Sequence, residues 1–101
     1  MAYVVVLFNL RSDADRATYE EWARTSDIPT VRSLPSVTSF RVLKTSGLLS
    51  GGAAPYEYVE VIDVNDMAQL GEDIACDPMP RIAAEFQTFA DNPIFMLSEE
   101  L

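Results

Sequence analysis

The sequence of 101 residues predicts one domain over residues 1–101, because a chain of this length can bury only a single modest core. Its 16 acidic and 7 basic residues give a formal net charge of −9, so neither nucleic acid nor an anionic membrane surface is expected as a partner. The sequence has one cysteine and no histidine, which excludes an intramolecular disulfide and the Cys–His pairs of many nucleophilic and metal sites.

The same composition limits the chemistry and the location. Without histidine, acid–base catalysis falls to Asp, Glu, Tyr, Lys or the substrate. We expect no cofactor and no metal, since two separated carboxylates such as Asp27 and Glu60 are a weak signal for a hard cation. The N-terminus lacks the features of a signal peptide, and no apolar run approaches the ~20 residues of a membrane span. A cytoplasmic protein is therefore expected.

The first half of the chain predicts a strand, a helix and a second strand. Residues 3–10 form a valine-rich apolar run that is too short for a buried helix and indicates a strand. Ser12 is the expected N-cap of the following helix, and Asp27-Ile28-Pro29 is expected to end it before a further short turn that ends at Pro35. The next strand is predicted over residues 37–44. The inward positions of the first helix recur at helical spacing: Tyr19, Trp22, Ala23 and Ser26.

The second half predicts a strand, a broken helix and a last strand. The third strand is expected over residues 55–64, after a glycine-rich loop over residues 45–54. Asn65 is the expected cap of the helix that follows, which breaks at residues 77–80 and ends at 91–93. The last strand is predicted over residues 94–97. The inward helical positions are Met67, Leu70, Ile74, Ile82, Phe86, Phe89 and Ala90.

This order of elements predicts an α+β fold, namely a ferredoxin-like βαββαβ domain with a four-stranded antiparallel sheet and helices on one face. The first and last strands are apolar on both sides, whereas a sheet face in contact with water should be polar. No spare element of the chain can cover the second face. The sequence therefore predicts a homodimer, in which two sheets pack about a two-fold axis as a dimeric α+β barrel.

Pairing of the second and third strands symmetrically about the loop would place Arg41 opposite Glu60 and Leu43 opposite Tyr58. Tyr56 would then share a face with them, and Phe40, Val42, Val59 and Val61 would form the core face. Two interpretations of the polar face are open. It is either a satisfied Arg41–Glu60 pair at the rim of the dimer interface, or a pocket wall in which phenol and carboxylate exchange protons beside a guanidinium.

Several separated segments share their order and spacing with one known family. They are Trp22, Asp27-Ile28-Pro29, residues 34–42, Gly47-Leu48-Leu49, residues 56–61 and residues 86–93. On these segments the chain resembles the REDY-like or HapK family of the dimeric α+β barrel superfamily. The resemblance implies a role in the biosynthesis of prodigiosin-type tripyrrole pigments or related secondary metabolites. It does not choose a reaction, because the superfamily includes cofactor-independent monooxygenases, isomerases, cyclases, haem-degrading enzymes and members without a known reaction.

The resemblance also marks candidate site residues. Many relatives carry a histidine just before the proline after the first helix, where this chain has Asp27, so haem ligation by a proximal histidine does not carry over. A buried carboxylate can act as a general base, but Asp27 can equally cap the next turn by accepting the N–H of Thr30. Asn9 loosely matches an asparagine of some monooxygenases, and it can equally be an ordinary strand end.

The first hypothesis is an enzyme or enzyme-like accessory protein acting on an apolar or aromatic, conjugated small molecule by cofactor-free cyclisation, condensation or isomerisation. The expected catalytic residues are Asp27, Tyr58 and Glu60. Arg32 can hold Asp27 or an anionic substrate, or remain solvated, and the aromatic pair Tyr19 and Trp22 can wall a pocket or simply pack on the sheet. The expected substrate-binding residues are Asn9, Tyr19, Trp22, Arg32, Arg41 and Tyr56. The alternatives are cofactor-independent oxygenation of an aromatic substrate, and a non-catalytic dimer that binds a reactive intermediate.

Overall fold

The computed structural model describes residues 2–101, which form a four-stranded antiparallel sheet and a layer of helices. The strands, in the spatial order β2-β3-β1-β4, are β1 (Ala2–Leu10), β2 (Val37–Lys44), β3 (Tyr58–Val64) and β4 (Ala90–Glu99). The helices are α1 (Arg16–Trp22), α2 (Ile28–Arg32), α3 (Met67–Ala75) and α4 (Met79–Phe89), and a π-helical segment (Ala23–Asp27) joins α1 to α2. The predicted ferredoxin-like fold is confirmed.

The core lies between the helices and one face of the sheet. Val4, Val6 and Phe8 alternate along β1 and are buried. The ring of Phe8 lies 5.7 Å from that of Tyr19 on α1 and 5.0 Å from that of Phe86 on α4, both in edge-to-face contact. Side chains of a strand point alternately to its two faces, so the residues between these three point away from the helices.

The outward face of the sheet is also apolar. In the observed register Val5 pairs with Val61 and Leu7 with Val59, and directly paired residues share a face. The outward apolar residues are Val5, Leu7, Leu43, Val59, Val61, Ile94 and Met96. No element within residues 2–101 covers them, which agrees with the expectation from the sequence that the second face needs a cover.

The predicted register of β2 against β3 was wrong by one residue. Arg41 pairs with Val61 and Val42 with Glu60, and beyond the strand ends the N–H of Thr45 donates to the carbonyl oxygen of Glu57 rather than pairing with Tyr56. A slip of one residue moves each side chain to the other face. Glu60 therefore lies on the helix-covered face with Val42 and Phe40, Arg41 lies on the outward face, and the proposed Arg41–Glu60 pair does not form.

The first helical region starts later and runs further than predicted. Asp15, not Ser12, is the N-cap of α1: its Oδ2 atom accepts a hydrogen bond from the backbone N–H of Thr18 at 2.9 Å. The helix does not stop at Asp27. It continues through the π-helical segment, in which the N–H of Ile28 donates to the carbonyl oxygen of Ala23, and Pro29 lies in the first turn of α2, where its missing N–H loses no bond.

Three other boundaries differ from the sequence-based ones. β3 begins at Tyr58 rather than at residue 55. The N-cap of α3 is Asp66, whose Oδ1 accepts from the N–H of Gln69 at 3.1 Å, while the predicted cap Asn65 donates instead to the carbonyl oxygen of Pro35. β4 begins at Ala90, directly after α4, rather than at residue 94. Its first two residues already pair with Leu10 and Asn9 at the end of β1, and the register then shifts between Asn9 and Leu7.

Candidate functional site

A cavity of about 380 Å³ lies between the sheet and the helices α2, α3 and α4. Val4, Phe40 and Ile62 form part of its sheet side, and Ile82 and Phe86 part of its helix side. The other residues that line it are Asp27, Val31, Leu34, Val37, Glu60, Met67, Leu70, Ile74, Met79, Ala83, Gln87, Phe95 and Leu97. A predominantly apolar space of this size with a few polar groups is typical of a site for a small molecule.

Asp27 is one of two carboxylates in the cavity wall. It is the last residue of the π-helical segment, its exposure is only 5%, and its side chain makes no capping hydrogen bond. Burial raises the pKa of Asp27 to about 7, and no neighbouring cation opposes that effect. The alternative role, as a cap that accepts the N–H of Thr30, is therefore wrong. At neutral pH Asp27 can both take up and release a proton.

Glu60 is the second carboxylate. It projects from the middle of β3 onto the helix-covered face, is 5% exposed, and its Oε2 atom has no hydrogen-bond partner among the described residues. Burial, and then the charge of Asp27, raise the pKa of Glu60 to about 8. Glu60 is consequently mostly protonated at pH 7, when it can donate a hydrogen bond into the cavity.

Tyr19 lies beside this pair but is not part of the cavity wall. Its ring is fully buried and its hydroxyl makes no hydrogen bond with any described residue. Burial and then the charges of Glu60 and Asp27 raise the pKa of Tyr19 above its usual value, so the phenol remains a neutral donor. Trp22, its predicted partner, packs 5.3 Å from the ring of Phe89 and donates from Nε1 to Glu85 Oε1 at 2.8 Å.

Tyr58 turns its hydroxyl away from the carboxylate pair. The hydroxyl donates to Glu20 Oε2 at 2.6 Å and accepts from Arg16 Nη1 at 2.9 Å, and Glu20 also pairs with Lys44 at 3.0 Å. Burial and the hydrogen bond to Glu20 raise the pKa of Tyr58 to about 12. This polar group borders a separate cavity of about 100 Å³. The structure thus brings Asp27 and Glu60 together and leaves the Tyr58 hydroxyl outside the larger cavity.

The remaining predicted residues lie outside the cavity wall. Asn9 joins the end of β1 to the start of β3, since its Oδ1 accepts from the N–H of Glu57 at 3.0 Å. Arg32 Nε donates to the carbonyl oxygen of Phe40 at 3.0 Å, Arg41 is exposed on the outward face, and Tyr56 is half-buried just before β3. Their proposed roles in substrate binding stay predictions.

The residues that sequence reasoning missed are the apolar ones around the mouth of the cavity. Met67, Ile74, Phe95 and Leu97 line the cavity although each is at least 40% exposed. The sequence predicts Met67 and Ile74 only as inward helical positions, because a residue that faces a cavity and a residue that packs against a side chain have the same spacing. Residues that face a cavity are distinguished from packed core residues only in the structure, where several large apolar side chains are exposed around one opening.

Neither a metal site nor a membrane span is evident in the described part of the chain. Across residues 2–101, no three His, Cys, Asp or Glu side chains cluster in a way that could hold a metal ion. None of the helices between these residues is both long and apolar enough to cross a membrane.

The family model for "REDY-like protein HapK" matches residues 2–101. The chain belongs to the HapK family of REDY-like proteins. The family's namesake, HapK from Hahella chejuensis, has a crystal structure that is 28% identical to this chain, with a TM-score of 0.80 over 100% of this chain and 93% of that one. No curated protein matches. The predicted family is confirmed.

Two more distant structures share the fold. SnoaB from Streptomyces nogalater, described as a cofactor-independent oxygenase and crystallised as a point mutant, is 15% identical, with a TM-score of 0.76 over 98% of this chain and 91% of that one. A dimeric ferredoxin-like protein of unknown function from Thermobifida fusca is 13% identical, with a TM-score of 0.75 over 98% of this chain and 90% of that one. At these identities the likeness concerns the fold alone.

Proposed function

We propose that this protein is a tailoring enzyme of secondary metabolism that catalyses proton transfer on an apolar, conjugated small molecule bound in the larger cavity. The reaction class is a cyclisation, condensation or isomerisation that needs only proton transfers and no redox cofactor. Membership of the HapK family supports this setting. The observation that carries the proposal is the pair of buried carboxyl groups, Asp27 and Glu60, in an otherwise apolar cavity.

In this scheme Asp27 is the general base. A base with a pKa near the working pH combines a useful ionised fraction with sufficient basicity, and burial brings the pKa of Asp27 to about 7. The ionised form removes a proton from a carbon of the substrate. The apolar wall excludes water that would otherwise solvate the carboxylate and weaken it as a base.

Glu60 is the proton donor or the stabilising acid. With its pKa raised to about 8, it retains its proton while Asp27 is ionised, and its Oε2 atom has no other partner. It can therefore donate to the substrate oxygen or nitrogen on which negative charge develops when Asp27 takes the proton. Two carboxyl groups with different environments thus divide the roles of base and acid.

We also propose that the protein is a homodimer. The middle of the outward face of the sheet is apolar, with Val5 and Leu7 of β1 beside Val59 and Val61 of β3. A second copy that packs sheet against sheet would bury this face about a two-fold axis. The dimeric protein from Thermobifida fusca, which has the same fold, supports this arrangement.

The proposal is tested with 5-nitrobenzisoxazole, a neutral aromatic probe whose ring opens when a base removes its C3 proton: the electrons of the C–H bond form a nitrile, the N–O bond breaks, and the product is the coloured 2-cyano-4-nitrophenolate. We expect the protein to accelerate ring opening, with a rate that rises with pH through an apparent pKa near 7, because only the ionised carboxylate is a base. Asp27→Asn is expected to lower the rate by about 10²–10⁴. Initial rates are followed by the absorbance of the product.

The matched control is Asp13→Asn, which removes an exposed acid and should leave the rate unchanged. Circular dichroism of both variants checks that they are folded. Equal rates for wild type and Asp27→Asn would contradict the assignment of the base. If the probe binds the cavity but ring opening is no faster with wild type than with Asp27→Asn, the result favours the alternative of a non-catalytic dimer that only holds its ligand.

A further inference from the structure

We propose that the cavity selects a planar, apolar monocation whose positive charge is spread over N–H groups, of the chemical class of an aryl amidine. The inference rests on the proposed function in placing the substrate in this cavity, and it goes further by naming the charge and the polar group of that substrate. It is carried by three features: the absence of a counter-charge, the unpartnered oxygen of Glu60 and the apolar wall.

The first feature is that nothing in the described protein neutralises the two acids. Asp27 and Glu60 are the only charged side chains of residues 2–101 that line the cavity. The seven basic residues lie elsewhere. Five of them form ion pairs with acids outside the cavity: Arg11 with Asp13, Arg16 with Glu57, Arg24 with Glu20, Lys44 with Glu20, and Arg81 with Glu85. Arg32 donates to a backbone carbonyl, and Arg41 lies on the outward face of the sheet.

This arrangement is costly unless a ligand changes it. An ionised carboxylate without a partner is strongly unfavourable inside a protein, and two of them also repel each other. A monocationic ligand reduces these costs, because it balances the charge of one ionised carboxylate while the other acid stays protonated and uncharged. An anionic ligand would instead add a negative charge at the same place. The cavity is therefore suited to a cation and opposed to an anion.

The second feature specifies the polar group. Glu60 Oε2 is buried without a hydrogen-bond partner, and the side chain of Asp27 makes no capping bond. A carboxylate offers two oxygens that accept a matched pair of N–H donors, as it does from a guanidinium. A delocalised cation is also less strongly hydrated than an ammonium group, so it loses less on entering an apolar space.

The third feature specifies the rest of the ligand. The rings of Phe40 and Phe86 and the side chains of Ile62 and Leu70 line the same cavity. An aromatic body attached to the cationic group would bury its faces against these side chains. A ligand that is flat, apolar and positively charged at one end fits all three features at once.

The test compares three probes of nearly the same shape: 2-naphthamidine, a cation; 2-naphthamide, which is neutral; and 2-naphthoate, an anion. Titration calorimetry at pH 6.5 with 150 mM salt is expected to show the amidine binding at least about tenfold more tightly than the amide, and no detectable binding of the naphthoate. Repeating the titration in buffers with different ionisation heats should show proton release on amidine binding and none on amide binding, because the cation drives ionisation of one acid of the pair.

The double variant Asp27→Asn/Glu60→Gln keeps the shape of the cavity and removes both acids. It should bind the amide as wild type does and lose the preference for the amidine. The control Asp13→Asn/Glu72→Gln removes one Asp and one Glu from exposed positions and should keep that preference. If the amide binds as tightly as the amidine, or if the preference survives in the cavity variant, the inference is overturned, and in the second case the net charge of −9 explains the attraction.

The single variants Asp27→Asn and Glu60→Gln guard against a double variant that does not fold, and each should reduce the preference for the amidine. The outcome is separable from that of the proposed function, since 5-nitrobenzisoxazole is neutral. Ring opening without amidine preference would overturn only the inference, whereas amidine preference without ring opening would overturn only the catalytic role.

Discussion

The double variant Asp27→Asn/Glu60→Gln is expected to exceed wild type in free energy of unfolding at pH 8, and this excess should be larger than the excess at pH 5 by at least about 2 kcal/mol. Burial raises the pKa of Asp27 to about 7 and that of Glu60 to about 8, whereas both titrate near pH 4 in an unfolded chain. The folded wild type therefore binds more protons than the unfolded chain between these values. Its stability is fully present below about pH 4 and falls as pH rises toward about 8.

The size of this effect follows from linkage. Each group that is protonated only in the folded state lowers the free energy of unfolding by up to about 1.4 kcal/mol per pH unit. Asn and Gln have nearly the shape of the protonated acids but cannot ionise, so the variant should be almost insensitive to pH in this range. Urea unfolding followed by circular dichroism at pH 5 and pH 8, at one protein concentration, measures the difference.

The charge-matched control is Asp13→Asn/Glu72→Gln, whose two acids are exposed. It should lose stability between pH 5 and pH 8 as wild type does, because it retains the buried pair. A wild type whose free energy of unfolding is the same at both pH values would show that the pair does not titrate in this range. A control variant as insensitive to pH as the cavity variant would assign the effect to general charge repulsion instead.

Val5→Asp is expected to convert the proposed dimer to a monomer, with the dissociation constant raised by more than about 10³. Val5 points outward from β1 between Val61 of β3 and Met96 of β4, near the middle of the apolar part of the sheet face. Two-fold symmetry places the new carboxylate in the interface twice, and each copy would be buried between apolar side chains. Light scattering should give twice the chain mass of 11.2 kDa for wild type and a single chain mass for the variant.

Ala84→Asp is the matched control, because it adds the same charge to an exposed position of α4 on the other side of the molecule. It should leave the mass unchanged, and circular dichroism should show that both variants keep their secondary structure. The proposed interface would be wrong if wild type were a monomer at micromolar concentration, or if Val5→Asp remained a dimer.

The fold could be predicted from the sequence because its signals are redundant. The valine-rich first strand, the two helical stretches and the order of the strands all agree with one topology, and a shift of a few residues in any boundary leaves that topology unchanged. This is why β1 and β2 were located closely, although Asp15 rather than Ser12 caps α1 and the helical chain runs past Asp27.

The register of β2 against β3 was harder to predict, because a long glycine-rich loop does not fix it. Symmetric pairing put Glu60 opposite Arg41, either as a satisfied ion pair or in a pocket wall beside the guanidinium, whereas the observed pairing puts it opposite Val42 and inside the core. Glu60 was thus chosen as a candidate on an incorrect basis. Its burial beside Asp27, which raises its pKa, depends on a shift of one residue that the sequence does not encode locally.

Asp27 was identified from its position before Pro29, but its orientation required the structure. A carboxylate before a helical turn usually serves as a cap. In the structure the helical chain continues through Asp27, whose side chain makes no capping hydrogen bond and lines the cavity instead. A pocket was expected beside Tyr19 and Trp22, but neither residue lines the larger cavity. Its true position could not be predicted, since Met67, Leu70 and Ile74 have the spacing of ordinary core residues.

The most direct test of the carboxyl pair is its titration by ¹³C NMR, with the side-chain carboxyl signals assigned through Asp27→Asn and Glu60→Gln. We expect two signals that stay in the protonated position at pH 5 and titrate with apparent pKa values near 7 and 8, well apart from the exposed acids. If both signals instead titrate near pH 4 with the other carboxylates, the cavity does not hold a buried pair poised for proton transfer, and the proposed mechanism is wrong.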